Sequence, residues 1–388
     1  MRRYLILILL AVFLASCSGA STSAPTADMN AINTQAFATV NASGTGTAVA
    51  SLPTETPTPL PTPTYSGPPP ELPPTLQAPG LAQGATPHTY ISDSCEYLQA
   101  KWNPNNAAPG TIVMVVMFHS IEKGVESVSD PMHVGAGDFK RIMKNLHDFG
   151  FQAISANQLA DFLDSNAKIP MRSVVLIQDD RHSAENYNDW FRPYWQEWGW
   201  PVINGWISWE DSIRNQVLPG NIALGAEGFV DFQSHGYVHN TPMTDASSDE
   251  YIRTEFERSK ADLQQNFNKT PVAIIWPGGG FGVRPVAIAR EFGYRLGFTV
   301  NPRGPIMYNW VPQADAATGT FDIAEGPVGD PRMTLPRFWP NQVIPNLDVA
   351  RVISEQAAAY AAQNKPTELL YYDLVCAPTL GPLPAAVP

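Results

Sequence analysis

The sequence predicts an α/β protein built on a parallel sheet or barrel, and three observations carry that prediction. Apolar, β-rich runs alternate with segments of helical apolar spacing over most of the chain. Residues 111–118 (T-I-V-M-V-V-M-F) are nearly all apolar, as a strand covered on both faces must be. Residues able to do chemistry come directly after the strand-like runs, where the carboxyl ends of parallel strands build sites.

The first 88 of the 388 residues stand apart from this pattern. Residues 1–17 start with Arg2 and Arg3 and continue as an apolar stretch too short for a comfortable membrane span, which reads as an export signal. L-A-S-C at positions 14–17 resembles a bacterial lipobox, making Cys17 the expected lipidation site. An ordinary signal peptide is the alternative. A lipidated Cys17 would place the protein outside the cytoplasm, anchored to a bacterial membrane and not spanning it. Residues 18–88 are rich in Ser, Thr, Ala and Pro and cannot bury enough apolar surface to fold, so they are expected to form a disordered linker. The remaining segment, 89–388, is expected to be one domain. Its two cysteines, Cys95 and Cys376, stand near its two ends and could be joined as a disulfide or remain free buried thiols. The net charge of −12 and the lack of a basic cluster exclude nucleic acid as a natural partner.

Within the domain, residues 111–118 form the first strand, and His119 comes next. Phe139, Ile142, Met143, Leu146 and Phe149 give the steps of three and four of a helix that Gly150 can end. A short strand over 151–154 and a short helix over 156–163 come after it. Residues 174–181 (V-V-L-I-Q-D-D-R) form a buried strand that delivers two adjacent acids, Asp179 and Asp180. Residues 184–198 are aromatic at helical spacing, a stripe read as core. Strands are predicted at 202–207, 229–233, 272–276 and 296–300. Helices are predicted from Ser247–Glu250, a capping-box pattern, to about Phe267, and over 287–292 and 346–362.

Two neighbouring carboxylates repel, so a fold that keeps both at a cleft needs a cation or a proton there. His235 and His239, in F-Q-S-H-G-Y-V-H-N, are four apart, a spacing that puts both imidazoles on one side of a helical turn. One acid and two histidines make a catalytic metal site with open positions. Satisfied core or surface histidines are the competing reading of such a pair. Strand side chains alternate, so Asp179 and Asp180 reach one site only if the strand has turned there. His182 reads as incidental. His88, His133 and His147 lack companions and read as structural or solvent-exposed.

These residues resemble the polysaccharide deacetylases, the NodB-homology or carbohydrate esterase family 4 proteins. Family motif T-F-D-D-G is similar to I-Q-D-D-R at 177–181, S-H-x-x-x-H to S-H-G-Y-V-H at 234–239, Y-P-x-G to W-P-G-G at 276–279, and L-M-Y-H to V-M-F-H at 116–119. The stretch 139–155 resembles the branch acting on poly-N-acetylglucosamine, and the likeness spans about 111–353. It implies a distorted (β/α) barrel with Asp179 as general base and Asp180, His235 and His239 as ligands of a divalent ion, Zn first, with Co or Ni as alternatives. Trp276, Pro277, Gly278 and Arg181 would contact substrate. The reaction implied is removal of N-acetyl groups from a polysaccharide.

The sequence departs from this pattern in three places. No histidine comes after His239, so the late L-x-H histidine that protonates the amine is missing from 333–340 (M-T-L-P-R-F-W-P). By the same resemblance, His119 could take that role, or only hydrogen-bond to Asp179. Arg181 replaces the glycine after the acid pair, and Gln178 the phenylalanine before it. Two further functions use the same residues: a non-catalytic module that binds glycan, and an esterase acting on O-acetylated sugars.

Overall fold

The computed structural model describes residues 64–72, 81–127, 130–317 and 323–387, all within a compact unit covering Pro63–Pro388. The expected signal segment 1–17, its Cys17 and most of the linker lie outside the described residues.

In chain order, the first half contains β1 (Ala85–His88), α1 (Ser94–Trp102), β2 (Ile112–Phe118), β3 (Ser120–Glu122), β4 (His133–Gly135), α2 (Ala136–Asp148), β5 (Gln152–Ala153), α3 (Ala156–Ser165) and β6 (Arg172–Asp179). Next come α4 (Ala184–Trp190), α5 (Arg192–Trp198), β7 (Val202–Trp206), α6 (Ser212–Glu227), β8 (Val230–Ser234), α7 (Asp249–Phe267), β9 (Ala273–Ile275), α8 (Val283–Glu291), β10 (Leu296–Phe298), β11 (Val311–Ala314) and α9 (Pro340–Tyr371).

Seven of the strands form one parallel sheet in the order β10-β9-β8-β7-β6-β2, with β5 paired to the start of β6. The sheet curls until its edges β10 and β2 are joined through an irregular segment. Leu335 N–H donates to Gly297 O at 2.8 Å, and Phe338 N–H to Val115 O at 2.7 Å. The result is the distorted (β/α) barrel expected from the sequence.

Alternation along the strands decides which side chains face inward. On β2 and β6, Ile112, Met114, Val116, Val174 and Leu176 pack outward against α2 residues Phe139, Ile142, Met143 and Leu146. Val113, Val115, Val175 and Ile177 instead join Ile203, Ala273, Ile275 and Leu296 in a second core inside the curl. Odd-numbered positions of β2 and β6 therefore point into the barrel. His119 and Asp179 continue that inward series at the strand ends.

Several expectations need correcting. Ala85–His88, assigned to the linker on composition, pairs antiparallel with β11, so order starts before residue 89. Pro87 is tolerated there because, among the described residues, β1 and β11 form a two-stranded ribbon with no further neighbour. The aromatic helix is two helices, α4 and α5, meeting at Phe191 with Pro193 in the first turn of the second. Helix α6 escaped prediction because Pro219 and Gly220 lie inside it, residues that normally argue against a helix interior. Ser248 alone caps α7, accepting from Tyr251 N–H. Cys95, on α1, is disulfide-bonded to Cys376 just beyond α9, with their Cα atoms 5.2 Å apart.

Candidate metal centre

The acid pair sits where β6 ends, and the two acids end up in different environments. Asp179 is 1% exposed. Its Oδ1 accepts from Arg337 Nη1 at 2.7 Å, and its Oδ2 lies 3.4 Å from His119 Nε2. Burial alone would raise the pKa of this carboxyl. Arg337, and after it His119 and His235, outweigh burial and hold it down to about 2. Asp179 is therefore ionised at every ordinary pH.

Asp180 has φ +68°, a left-handed conformation that Asp tolerates better than most residues. That turn re-aims a side chain which strand alternation would have sent outward. Asn204 on β7 holds the turned backbone, donating to Gln178 O at 3.1 Å and Asp180 O at 2.8 Å. Asp180 Oδ1 thereby comes within 3.8 Å of His235 Nε2 and 4.0 Å of His239 Nε2. Asp180, His235 and His239 form a group whose donor atoms all lie within 4.8 Å of one another.

His235 comes directly after β8, and its Nδ1 is 2.8 Å from Ile275 O. That bond puts the proton on Nδ1 and leaves the Nε2 lone pair facing Asp180, the arrangement a metal-ligating histidine needs. Burial also holds the imidazole well below its usual acidity range, hence neutral. A carboxylate oxygen and two imidazole nitrogens, with one ring already fixed by an outer partner, suit a divalent ion of the borderline kind. Residues 235–240 form a loop, not the helical turn suggested by the spacing of four. The backbone amides of Tyr237, Val238 and His239 point at the carboxylate of Glu255 on α7 instead.

His119 stacks on Trp339, ring centroids 5.6 Å apart and planes 12° from parallel, and its buried Nδ1 has no hydrogen-bond partner among the described residues. Trp339, just before α9, and Arg337 both belong to 333–340, the stretch that offers no histidine. The sequence did carry a signal here: a lone arginine inside an apolar run must find an anion if that run is buried. His182 is more than incidental, because its Nε2 lies 3.0 Å from Asp179 O and 2.7 Å from Gln178 Nε2, bracing the turn.

Of the four expected substrate contacts, two are buried, one is engaged by another side chain and one is exposed. Trp276, directly after β9, is fully buried in the core outside the barrel, and its indole N–H donates to Met333 O at 2.8 Å. Alternation explains this, since Ile275 faces inward. Arg181 does not project freely beside the acids. Its guanidinium forks onto Asp211 at 2.9 and 2.8 Å and donates to Trp209 O at 3.0 Å. Asp211 is the N-cap of α6, so Arg181 ties the acid-pair loop to that helix. Pro277 is buried too, packed beneath Gly236 of the histidine loop, and only Gly278 is exposed, at φ +58°.

A family model described as polysaccharide deacetylase matches residues 220–297, about a fifth of the chain, a span containing both histidines and the W-P-G-G turn but not the acid pair. The Bacillus subtilis (strain 168) protein YxkH, which bears the description polysaccharide deacetylase, is 23% identical over 188 residues, 48% of this chain. The match spans 64% of that relative's length. Among solved structures, the Streptococcus pyogenes deacetylase PplD in complex with acetate is 20% identical over 62% of this chain and 97% of its own, with a TM-score of 0.46. A de-N-acetylase of Aggregatibacter actinomycetemcomitans is 18% identical over 61% and 99%, at 0.48. IcaB from Ammonifex degensii is 15% identical over 63% and 98%, at 0.44. By the family model over residues 220–297, and by the curated relative over 188 residues, this chain is similar to the polysaccharide deacetylases.

Proposed function

We propose that this protein is a metal-dependent hydrolase that removes N-acetyl groups from a polysaccharide outside the cytoplasm, held at a bacterial membrane by lipid on Cys17. The observation carrying this reading is the pairing of a three-ligand cluster, Asp180, His235 and His239, with a buried ionised acid on the adjoining residue. A divalent ion in that cluster, Zn first, supplies Lewis acidity, which acidifies water and polarises an acyl oxygen. The remaining chemistry belongs to the chain. Arg337 occupies Asp179 Oδ1, so Oδ2 is the oxygen left to take a proton from water. His119, 3.4 Å from that oxygen and fixed in plane by Trp339, is placed to hand a proton to the departing amine. Water adds across the amide, releasing acetate and leaving the sugar amine.

One observation favours a second reading. A carboxylate held down to about 2 is a weak proton acceptor, as in a barrel that binds glycan without turning it over. Metal analysis of the purified protein, and then acetate release from an N-acetylglucosamine oligomer and from an O-acetylated sugar, separates the readings. Stoichiometric metal with acetate from the N-acetyl substrate is expected, and Asp179→Asn should keep the metal while turnover falls at least a hundredfold. Absence of bound divalent ion in the wild type refutes the enzyme reading. Undiminished turnover in Asp179→Asn refutes the base.

A further inference from the structure

Glu255 is 1% exposed and, among the described residues, has no basic side chain paired with it. A buried carboxylate in that state needs other donors. It occupies the inward face of α7 with Ile252, Phe256, Ser259 and Leu263, where an apolar residue would be expected. The donors are consecutive backbone amides of the histidine loop: Tyr237 N–H to Oε2 at 2.7 Å, Val238 N–H to Oε1 and Oε2 at 3.0 and 3.1 Å, and His239 N–H to Oε2 at 3.5 Å. Successive N–H groups converging on one anion form a backbone nest, here filled by the protein's own side chain.

The loop is shaped around that carboxylate. Gly236 has φ +80°, and a Cβ there would lie 2.7 Å from Glu255 Oε2 and 3.0 Å from Pro277 Cγ, so no side chain fits between loop and acid. At the other end, His239 has φ +64°, a conformation that a residue with a Cβ rarely adopts and that surrounding bonds must hold. His235 is fixed separately, through Ile275 O, whereas the hydrogen bonds to Glu255 are what fix the backbone leading to His239.

We propose that Glu255 is the positioning residue of the metal cluster: its carboxylate sets the backbone of residues 236–239 and thereby aims His239 at Asp180. This inference rests on the metal-site reading of Asp180, His235 and His239. Glu255 is buried behind the loop and is not one of the three ligand side chains. It acts by holding one ligand in a strained backbone state.

The test uses Glu255→Gln, which keeps the shape but turns an NH₂ toward amides that need an acceptor. Calorimetric titration of the chelator-stripped full chain with Zn or Co is expected to show affinity 10- to 100-fold weaker than wild type, the range for loss of an outer partner of a metal ligand. Amide hydrogen exchange of Tyr237 and Val238, measured without metal, is expected to be slow in wild type and at least tenfold faster in the variant. A merely structural role would lower Tm without altering metal affinity well below Tm. If Glu255→Gln fails to fold, Gly236→Ala leaves the carboxylate intact while pushing the loop off it, and the same weakening is expected. Affinity within twofold of wild type in a folded variant, or unchanged exchange at Tyr237 and Val238, overturns the proposal. A wild type that binds no divalent ion sinks the metal-site reading instead, and the exchange experiment still decides whether Glu255 sets the loop.

Discussion

Arg337→Met asks whether the acid at position 179 owes its charge to one partner. Arg337 and Asp179 are 0% and 1% exposed and meet at 2.7 Å. With Arg337 present, the carboxyl falls from its usual 3.8 to about 2, which at about 1.4 kcal/mol per tenfold change corresponds to about 2 kcal/mol in favour of the folded state. A depressed value stabilises above the unfolded one, so this contribution is complete above pH 4 and is lost as pH falls through about 2. Removing Arg337 leaves burial unopposed by its strongest counterweight, so the carboxyl should rise above its ordinary range. At pH 7 the variant then strands a buried charge, at a cost of about 3–5 kcal/mol. The deficit should be largest at pH 7 and narrow at pH 4.5, where Asp179 takes up a proton. Adding Asp179→Asn to Arg337→Met should recover about half of the loss. Urea unfolding of the metal-free wild type, both single variants and the double variant, at both pH values, measures all of this. Equal deficits at the two pH values, or single-variant costs that add to within about 0.5 kcal/mol, would refute the pairing.

The surroundings of the site make two further outcomes testable. Arg181→Gly removes three hydrogen bonds that join the acid-pair loop to Asp211 and Trp209, so acetate release should stay level or fall; a severalfold rise would show that the arginine obstructs the cleft after all. Replacing Cys95 and Cys376 together by Ser opens a loop of 281 residues and should cost about 2–5 kcal/mol of stability in urea melts, with turnover at 25 °C unchanged, because neither cysteine lies on an element carrying a site residue; an undiminished urea midpoint would mean the bridge does not form.

The sequence makes some of this architecture readable because a single local rule governs those parts. Inward and outward cores of β2 and β6 come from alternation, and α2 from steps of three and four, so the buried runs and their strand-end acids and histidines could be found by pattern. What escaped depends on distant partners. Arg337 becomes a site residue only because Leu335 and Phe338 are drafted to close the barrel between β10 and β2, a contact that brings Arg337 to an acid 158 residues earlier in the chain. Glu255 looks like one more polar position on an amphipathic helix until the loop it caps is placed above it. The spacing of four between His235 and His239 fits a helix equally well, and only the nest around Glu255 decides for a loop. Trp276 shows the opposite failure: its motif position suggested the cleft, yet the alternation that places Ile275 inward would have sent it to the outer core.

The two acids at 179 and 180 can coexist because the chain turns between them. Paired carboxylates take different roles when their environments push their proton affinities apart. Asp179 lies at the end of an inward strand face, is neutralised by Arg337 and remains charged without any bound ion. Asp180, after a left-handed turn, is 39% exposed and faces two imidazoles, one of them already held neutral. On the proposed metal-site reading a cation belongs at Asp180 alone, and Arg337 removes the repulsion that would otherwise compete for it. On the same proposed reading, an arginine and not a second ligand opposite Asp179 keeps that acid off the ion and leaves it to take a proton.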